Sequence, residues 1–120
     1  MDSSYVISTL CNELDKKFGK DIVALDLREL SPVADFFVLA TGNSAPQLNS
    51  LAETAKKILT EKGLKLSHVE GVKSAQWVLL DFGDVIVHIF DNEARQYYNL
   101  ERVWRDAKTV DFSQFKEVQD

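Results

Sequence analysis

Residues 77–98 read WVLLDFGDVIVHIFDNEARQYY, a β-hairpin that runs directly into a helix. Gly83-Asp84 is a two-residue turn signal, because glycine enters positive φ without the steric cost a Cβ brings. That short connection sets a register in which Phe82 opposes Val85, Leu80 opposes Val87 and Val78 opposes Ile89. Side chains alternate across a strand, so these six share one face, and that face is wholly apolar core. The other face pairs Trp77 with Phe90, Leu79 with His88 and Asp81 with Ile86. An apolar surface carrying Trp, His and Asp is either covered by a helix whose polar groups answer them or kept for a partner.

The flanking segments supply helices and further strands. Ser3 or Ser4 can cap a first helix, with Val6, Leu10, Leu14 and Phe18 near helical spacing and Gly19 ending it. Residues 21–27 (DIVALDL) read as a strand, Ser31-Pro32 breaks the chain, and residues 36–41 (FFVLAT) read as a more completely buried strand. Ser44 and Gln47 then form a capping box, with Pro46 placed early where its missing N–H costs nothing. Leu48, Leu51, Ala52, Ala55, Ile58 and Leu59 make the stripe of this helix, and Gly63 closes it. Residues 64–70 read as a short third strand and 71–76 as a loop. Asp91 or Asn92 caps a last helix with Tyr97, Leu100, Val103 and Trp104 at 3–4 spacing.

The expectation is therefore an α/β fold, α+β by a stricter definition, with a mixed sheet of about five strands flanked by helices. The passage over 36–70 is compatible with a right-handed parallel crossover, while the Gly83 hairpin must be antiparallel. One domain is expected over 1–107. From Lys108 the periodicity fades, leaving a tail (108–120) able to dock through Phe112 and Phe115.

At 120 residues, the chain is long enough for one domain with one sizeable core, but not for two domains. The apolar run within 36–40 is far too short to span a membrane. An acidic residue at position 2 stands where a signal peptide wants Lys or Arg, and Cys11 is alone, so a cytoplasmic, reducing setting is expected. Spaced to one side of the first helix, Cys11 reads as a buried small residue. A net charge of −5 argues against independent nucleic-acid binding, because gripping a phosphate backbone needs a basic surface, and permits attraction to a basic protein.

Several constellations could carry chemistry. The Gly42-Asn43-Ser44 turn joins a strand to a helix N-terminus, a place that favours anions, but it lacks both the Walker lysine and the three-glycine dinucleotide pattern. A tight turn with a serine cap explains it as well. Asp81 and Asp84 could hold Mg²⁺, and a Gly-Ser-like turn with acidic strand residues is also found in nucleotidyltransferases. There, however, the metal-binding pair alternates on one strand face. Here Asp84 lies in the turn, and Leu79, Ile86 and His88 surround Asp81, so the pair is broken. No catalytic or metal-ligating set is assigned. His88 could be a general base, or a hydrogen-bonded, semi-buried histidine. His68 has no partner at ligand spacing. On the last helix Arg95 and Arg102 lie seven apart with Tyr98 between them, which reads either as a solvated face or as an interface strip.

Four blocks together resemble the ribosomal silencing factor S (Iojap-like) family. They are DFFVLATGNS at 35–44, Val69-Glu70-Gly71, WVLLDFGDVIVHIF at 77–90, and RQYYNLE at 95–101. The resemblance covers residues 21–104 in order, and its W-x-x-x-D-x-G-D-V-x-V-H block is specific. It implies a non-enzymatic protein without cofactor, with a fold similar to nucleotidyltransferases whose catalytic acids are missing. It further implies docking on the large ribosomal subunit, on a basic ribosomal protein of the L-fourteen family, which blocks small-subunit joining and represses translation under nutrient limitation. Homodimers are common in the family. Carried across by position, Trp77, Leu79, Asp81, Gly83 and Asp84 become the expected partner-binding surface, with Arg95 and Tyr98 either supporting the hairpin or touching the partner. One departure stands out: Ala45-Pro46 occupies the place where the family usually carries an Arg.

Overall fold

The computed structural model describes residues 3–71 and 76–112. Along the chain run α1 (Ser3–Lys16), β1 (Lys20–Asp26), β2 (Phe36–Thr41), α2 (Ala45–Glu61), β3 (His68–Glu70), β4 (Trp77–Asp81), β5 (Val85–Phe90), α3 (Asn92–Tyr98), α4 (Leu100–Val103) and β6 (Lys108–Thr109). The strands make one mixed sheet in the order β3-β4-β5-β2-β1-β6. Among them β2 and β5 pair in parallel, with Leu39 opposite His88, and the other pairings are antiparallel. The sheet thus has six strands among the described residues, rather than about five.

The two faces of the sheet build two cores. Period-two alternation sends Phe36, Val38 and Ala40 of β2, Val78 and Leu80 of β4, and Val85, Val87 and Ile89 of β5 to one side. There they meet the apolar stripes of α1 (Val6, Ile7, Leu10, Cys11, Leu14) and α2 (Leu48, Leu51, Ala52, Ala55, Leu59). The other side gathers Leu25, Leu39 and Phe90 under Ala94, Leu100 and Trp104. This second cover is far smaller, because α3 and α4 have only seven and four residues.

The hairpin register is the one the turn dictates: Val78 opposes Ile89, Leu80 opposes Val87, Trp77 opposes Phe90 and Asp81 opposes Ile86. At α2, Ser44 Oγ accepts from the Gln47 amide at 3.2 Å, and Gln47 Oε1 accepts from the Asn43 amide. Asp91, rather than Asn92, caps α3, its Oδ1 accepting from the Ala94 amide at 2.7 Å.

Several expectations change, among them Phe18, which lies beyond the end of α1 at φ 66 and is exposed rather than on the helix stripe. The last helix is broken at Asn99, which adopts φ 44, ψ 58 and ends α3 before α4 begins. The break takes Tyr97 and Val103 off a common apolar stripe, and both are largely exposed. It also means that Arg95 and Arg102 do not share one continuous helix face. The third strand shortens to His68–Glu70 and joins the sheet at its edge beside β4; it runs parallel to β2, as a parallel crossover requires, but the strand paired with β2 is β5. Lys108–Thr109, expected as the start of a tail, pairs with Leu25 and Asp26 as an edge strand. Phe112 packs against the larger core, and Phe115 lies outside the described residues.

Candidate docking face

The second face of the sheet is half covered, and the boundary runs through the hairpin. Phe90 and His88 on β5 are buried, whereas Trp77, Leu79 and Asp81 on β4 and Ile86 on β5 remain half-buried. Burial therefore divides this face, with the β5 end closed over and the β4 side left partly open. The cover is short: α3 and α4 have seven and four residues, and α3 meets β4 at its last residue, where Tyr98 touches Trp77.

Trp77 stands at this boundary. Its indole Nε1 donates to His88 Nδ1 at 3.2 Å. Its ring stacks on Phe90 with centroids 5.2 Å apart and meets Tyr98 at 4.5 Å. Tyr98 ends α3 and is 45% exposed, so Trp77 and Tyr98 form a continuous aromatic ridge. Glu70, Gly71, Gln76, Trp77, Leu79 and Tyr98 line a shallow concavity of about 320 Å³. Gly71 shapes this floor: its φ is +79, and a Cβ there would stand 1.9 Å from the Trp77 carbonyl oxygen. Sequence reasoning does not place Glu70, Gly71 or Gln76 in a site. The Val69-Glu70-Gly71 block is the one signal it offers, and nothing in its spacing says that it lies beside Trp77.

His88 is 4% exposed, with the Phe37 ring 4.7 Å away. Burial pushes its pKa from 6.5 down to about 4. An indole N–H can only donate, so Nδ1 is the acceptor and the single ring proton sits on Nε2. Among the described residues Nε2 has no hydrogen-bond partner. The histidine is therefore a neutral acceptor under Trp77. Among the described residues no carboxylate or hydroxyl is hydrogen-bonded to it, as a general-base arrangement needs.

Of the acidic pair, Asp81 holds the turn through its carboxylate and Asp84 ties it to β2 through its backbone carbonyl. Asp81 Oδ1 accepts from the Gly83 amide at 2.8 Å, an Asx-type turn that holds Gly83 at φ +82. Asp84 is exposed, and its carbonyl receives the amides of Asp35 and Phe36 at 2.8 and 3.0 Å, tying the hairpin tip to the start of β2. Asp81 ends β4 on the half-covered face, and Asp84 lies in the adjoining turn. Among the described residues no group of three or more His, Cys, Asp or Glu is arranged to hold a metal ion.

Arg95 belongs to a different place from the rest of the expected surface. It is 7% exposed, and its guanidinium donates to Glu101 Oε1 at 2.8 Å, Thr41 Oγ1 at 2.8 Å and the Asp21 carbonyl at 2.7 Å. With these donors committed inside the protein, Arg95 braces the α3–α4 reversal. The Gly42-Asn43-Ser44 turn is likewise committed to structure. The Asn43 and Gln47 amides are used by the capping box, and a Cβ on Gly42 would come within 2.9 Å of a Leu48 methyl. Cys11 is fully buried, and desolvation pushes its thiol up to about 12.

A family model described as "Ribosomal silencing factor during starvation" matches residues 1–120. The chain is 40% identical over 111 residues to the ribosomal silencing factor RsfS of Halalkalibacterium halodurans, covering 92% of this chain and 95% of that protein. Identity to RsfS of Bacillus subtilis is also 40% over 111 residues, covering 92% and 94%. A crystal structure of a Chromobacterium violaceum protein superposes with a TM-score of 0.82 at 34% identity, covering 88% of each chain.

Proposed function

The chain belongs to the RsfS family of ribosomal silencing factors, and from that premise we propose that it docks on the large ribosomal subunit and sterically blocks small-subunit joining. The contact is a basic ribosomal protein of the L-fourteen family, and the consequence is repression of translation under nutrient limitation. The action is occupancy in the cytoplasm, without cofactor or catalysis.

The observation that supports this reading most is the half-covered strip on β4. A rigid aromatic anchor beside apolar neighbours and acidic groups is the composition of a protein-docking hot spot. Trp77 and Tyr98 supply the anchor, Leu79 extends the apolar area, and Gly83 lets the tip turn tightly. Asp81 and Asp84 give the rim its negative sign, which steers a basic partner. Arg95 acts from beneath, by holding the helices that carry Tyr98. With a net charge of −5, contact through a basic protein rather than through RNA is electrostatically coherent. The free chain is proposed to form a homodimer, and sedimentation velocity distinguishes that state from a monomer.

The test is cosedimentation with purified large subunits, wild type beside Trp77→Ala, followed by addition of small subunits. Wild type is expected to bind and to lower the yield of joined ribosomes. Trp77→Ala is expected to bind about 2–4 kcal/mol more weakly, the range for a truncated aromatic hot spot. A folded Trp77→Ala variant of undiminished affinity would remove the docking assignment.

A further inference from the structure

An aromatic anchor serves a partner best when its ring already stands where it is needed, since immobilising a side chain on contact subtracts from affinity. Trp77 is only half-buried, so its orientation has to come from a few neighbours. Phe90 and Tyr98 pack on its ring. Stacking alone restrains the plane of an indole better than its rotation within that plane, because dispersion is non-directional. A hydrogen bond does fix that rotation, and the Trp77 indole makes one, to His88 Nδ1 at 3.2 Å.

The acceptor is itself immobile. His88 sits in the middle of β5, opposite Leu39 of β2 and Leu79 of β4. The rings of Phe37 and Phe90 flank its imidazole at 4.7 and 5.9 Å. Its other nitrogen, buried Nε2, has no partner among the described residues. A buried polar ring that leaves one nitrogen unpaired costs stability that an apolar ring of similar size would not. The useful product of that cost is the acceptor presented to Trp77.

We propose that His88 is a positioning residue for docking, its Nδ1 holding the Trp77 indole in the orientation offered to the partner. The role rests on the docking reading above and names the internal group on which the Trp77 contact depends.

A packing role and a positioning role rank two substitutions in opposite orders. Phenylalanine fills the imidazole site but has no acceptor. Asparagine fills it poorly, yet its Oδ1 is the same number of bonds from Cα as His88 Nδ1. Packing therefore places His88→Phe above His88→Asn, and positioning places His88→Asn above His88→Phe.

The experiment uses the full chain as wild type, His88→Phe and His88→Asn. It reads thermal midpoint, hydrogen exchange of the Trp77 indole proton by NMR, and affinity for purified large subunits. The Phe variant is expected to melt at or above the Asn variant, yet to exchange its indole proton faster and to bind about tenfold more weakly than wild type, on the scale of one side chain's ordering. The Asn variant is expected to fall between wild type and Phe in both. Affinity that follows thermal stability, or a Phe variant that binds like wild type, overturns the positioning role and leaves docking intact. Failure of wild type to bind at all overturns the docking reading and this role with it. Should either variant not fold, wild-type exchange decides: a protected indole proton supports the bond, and exchange at the rate of a free indole overturns it.

Discussion

Arg95 and Asp21, 74 positions apart, are joined by a 2.7 Å hydrogen bond from the guanidinium to the backbone carbonyl. Asp21 itself is at φ 48, an uncommon conformation for a residue with a Cβ. The same guanidinium reaches Thr41 at the end of β2 and Glu101 on α4. One side chain therefore connects the start of β1, the end of β2 and the small helical cover that carries Tyr98. Its planar fork suits this job, since several N–H donors leave a rigid group in fixed directions.

Arg95→Ala is expected to destabilise the protein by about 1–3 kcal/mol, chiefly because it leaves the buried Thr41 hydroxyl without its donor, whereas Glu101 is exposed enough to be solvated. Arg95→Lys should recover part of this, retaining the charge but not the fork. Urea denaturation checks both. A change below about 0.5 kcal/mol in the Ala variant, the size of an ordinary surface substitution, would show that the brace is not needed.

Gly71→Ala combines two penalties in one position. The residue is at φ +79, and the new methyl would stand 1.9 Å from the Trp77 carbonyl oxygen, so backbone must move. The expected loss is about 2–4 kcal/mol by strain and displacement. Chemical denaturation measures the loss. Because the displaced group is the first residue of β4, Trp77 fluorescence should shift in the same variant under native conditions. An unchanged midpoint together with an unchanged spectrum would contradict the geometry. Gly83→Ala offers a comparison, as Gly83 is also at positive φ but nothing stands within 4 Å of its added Cβ.

The hairpin was legible in sequence because a two-residue turn leaves one register, and alternation then assigns every side chain from Trp77 to Phe90 a face. The α2 start was legible for a similar reason, since Ser44 and Gln47 satisfy backbone donors locally. The break at Asn99 was not. Tyr97, Leu100, Val103 and Trp104 keep helical spacing across it, and a lone Asn, although it tolerates the left-handed region, does not by itself announce a break. Nor could Lys108–Thr109 be read as a strand, because two exposed residues carry no periodicity and pair only because β1 offers an edge. For the candidate site, spacing alone put Trp77, Leu79 and Asp81 on one surface. It could not show that Arg95, on the adjoining helix, turns inward to Thr41, or that Gly71 comes to lie beneath Trp77.

The acidic tip should act on association rate. Asp84 is exposed and its carboxylate takes no part in holding the turn, whereas the Asp81 carboxylate holds the Gly83 amide. Asp84→Lys is therefore the cleaner reversal. It is expected to slow association with large subunits several-fold at low salt, with the difference shrinking as ionic strength rises through about 0.15 M. Stopped-flow or surface-based kinetics read this directly. A wild-type on-rate indifferent to salt would contradict electrostatic steering by the tip.

His88 predicts a specific acid sensitivity. Its folded-state pKa is about 4, against 6.5 for the unperturbed group, with burial as the cause. Between those values the unfolded chain binds a proton that the folded protein excludes, so stability must fall as pH falls from 6.5 toward 4. The full effect is about 3 kcal/mol, since each tenfold difference in proton affinity between the two states is worth about 1.4 kcal/mol. Well above pH 6.5 both states are neutral at His88, and this contribution to pH dependence vanishes. Urea midpoints across the range from neutral to about pH 4.5 should trace the decline, and His88→Asn, which has nothing to protonate there, should flatten it. Equal slopes in wild type and His88→Asn would show that His88 is already solvated, and the protonation argument for its burial under Trp77 would fail.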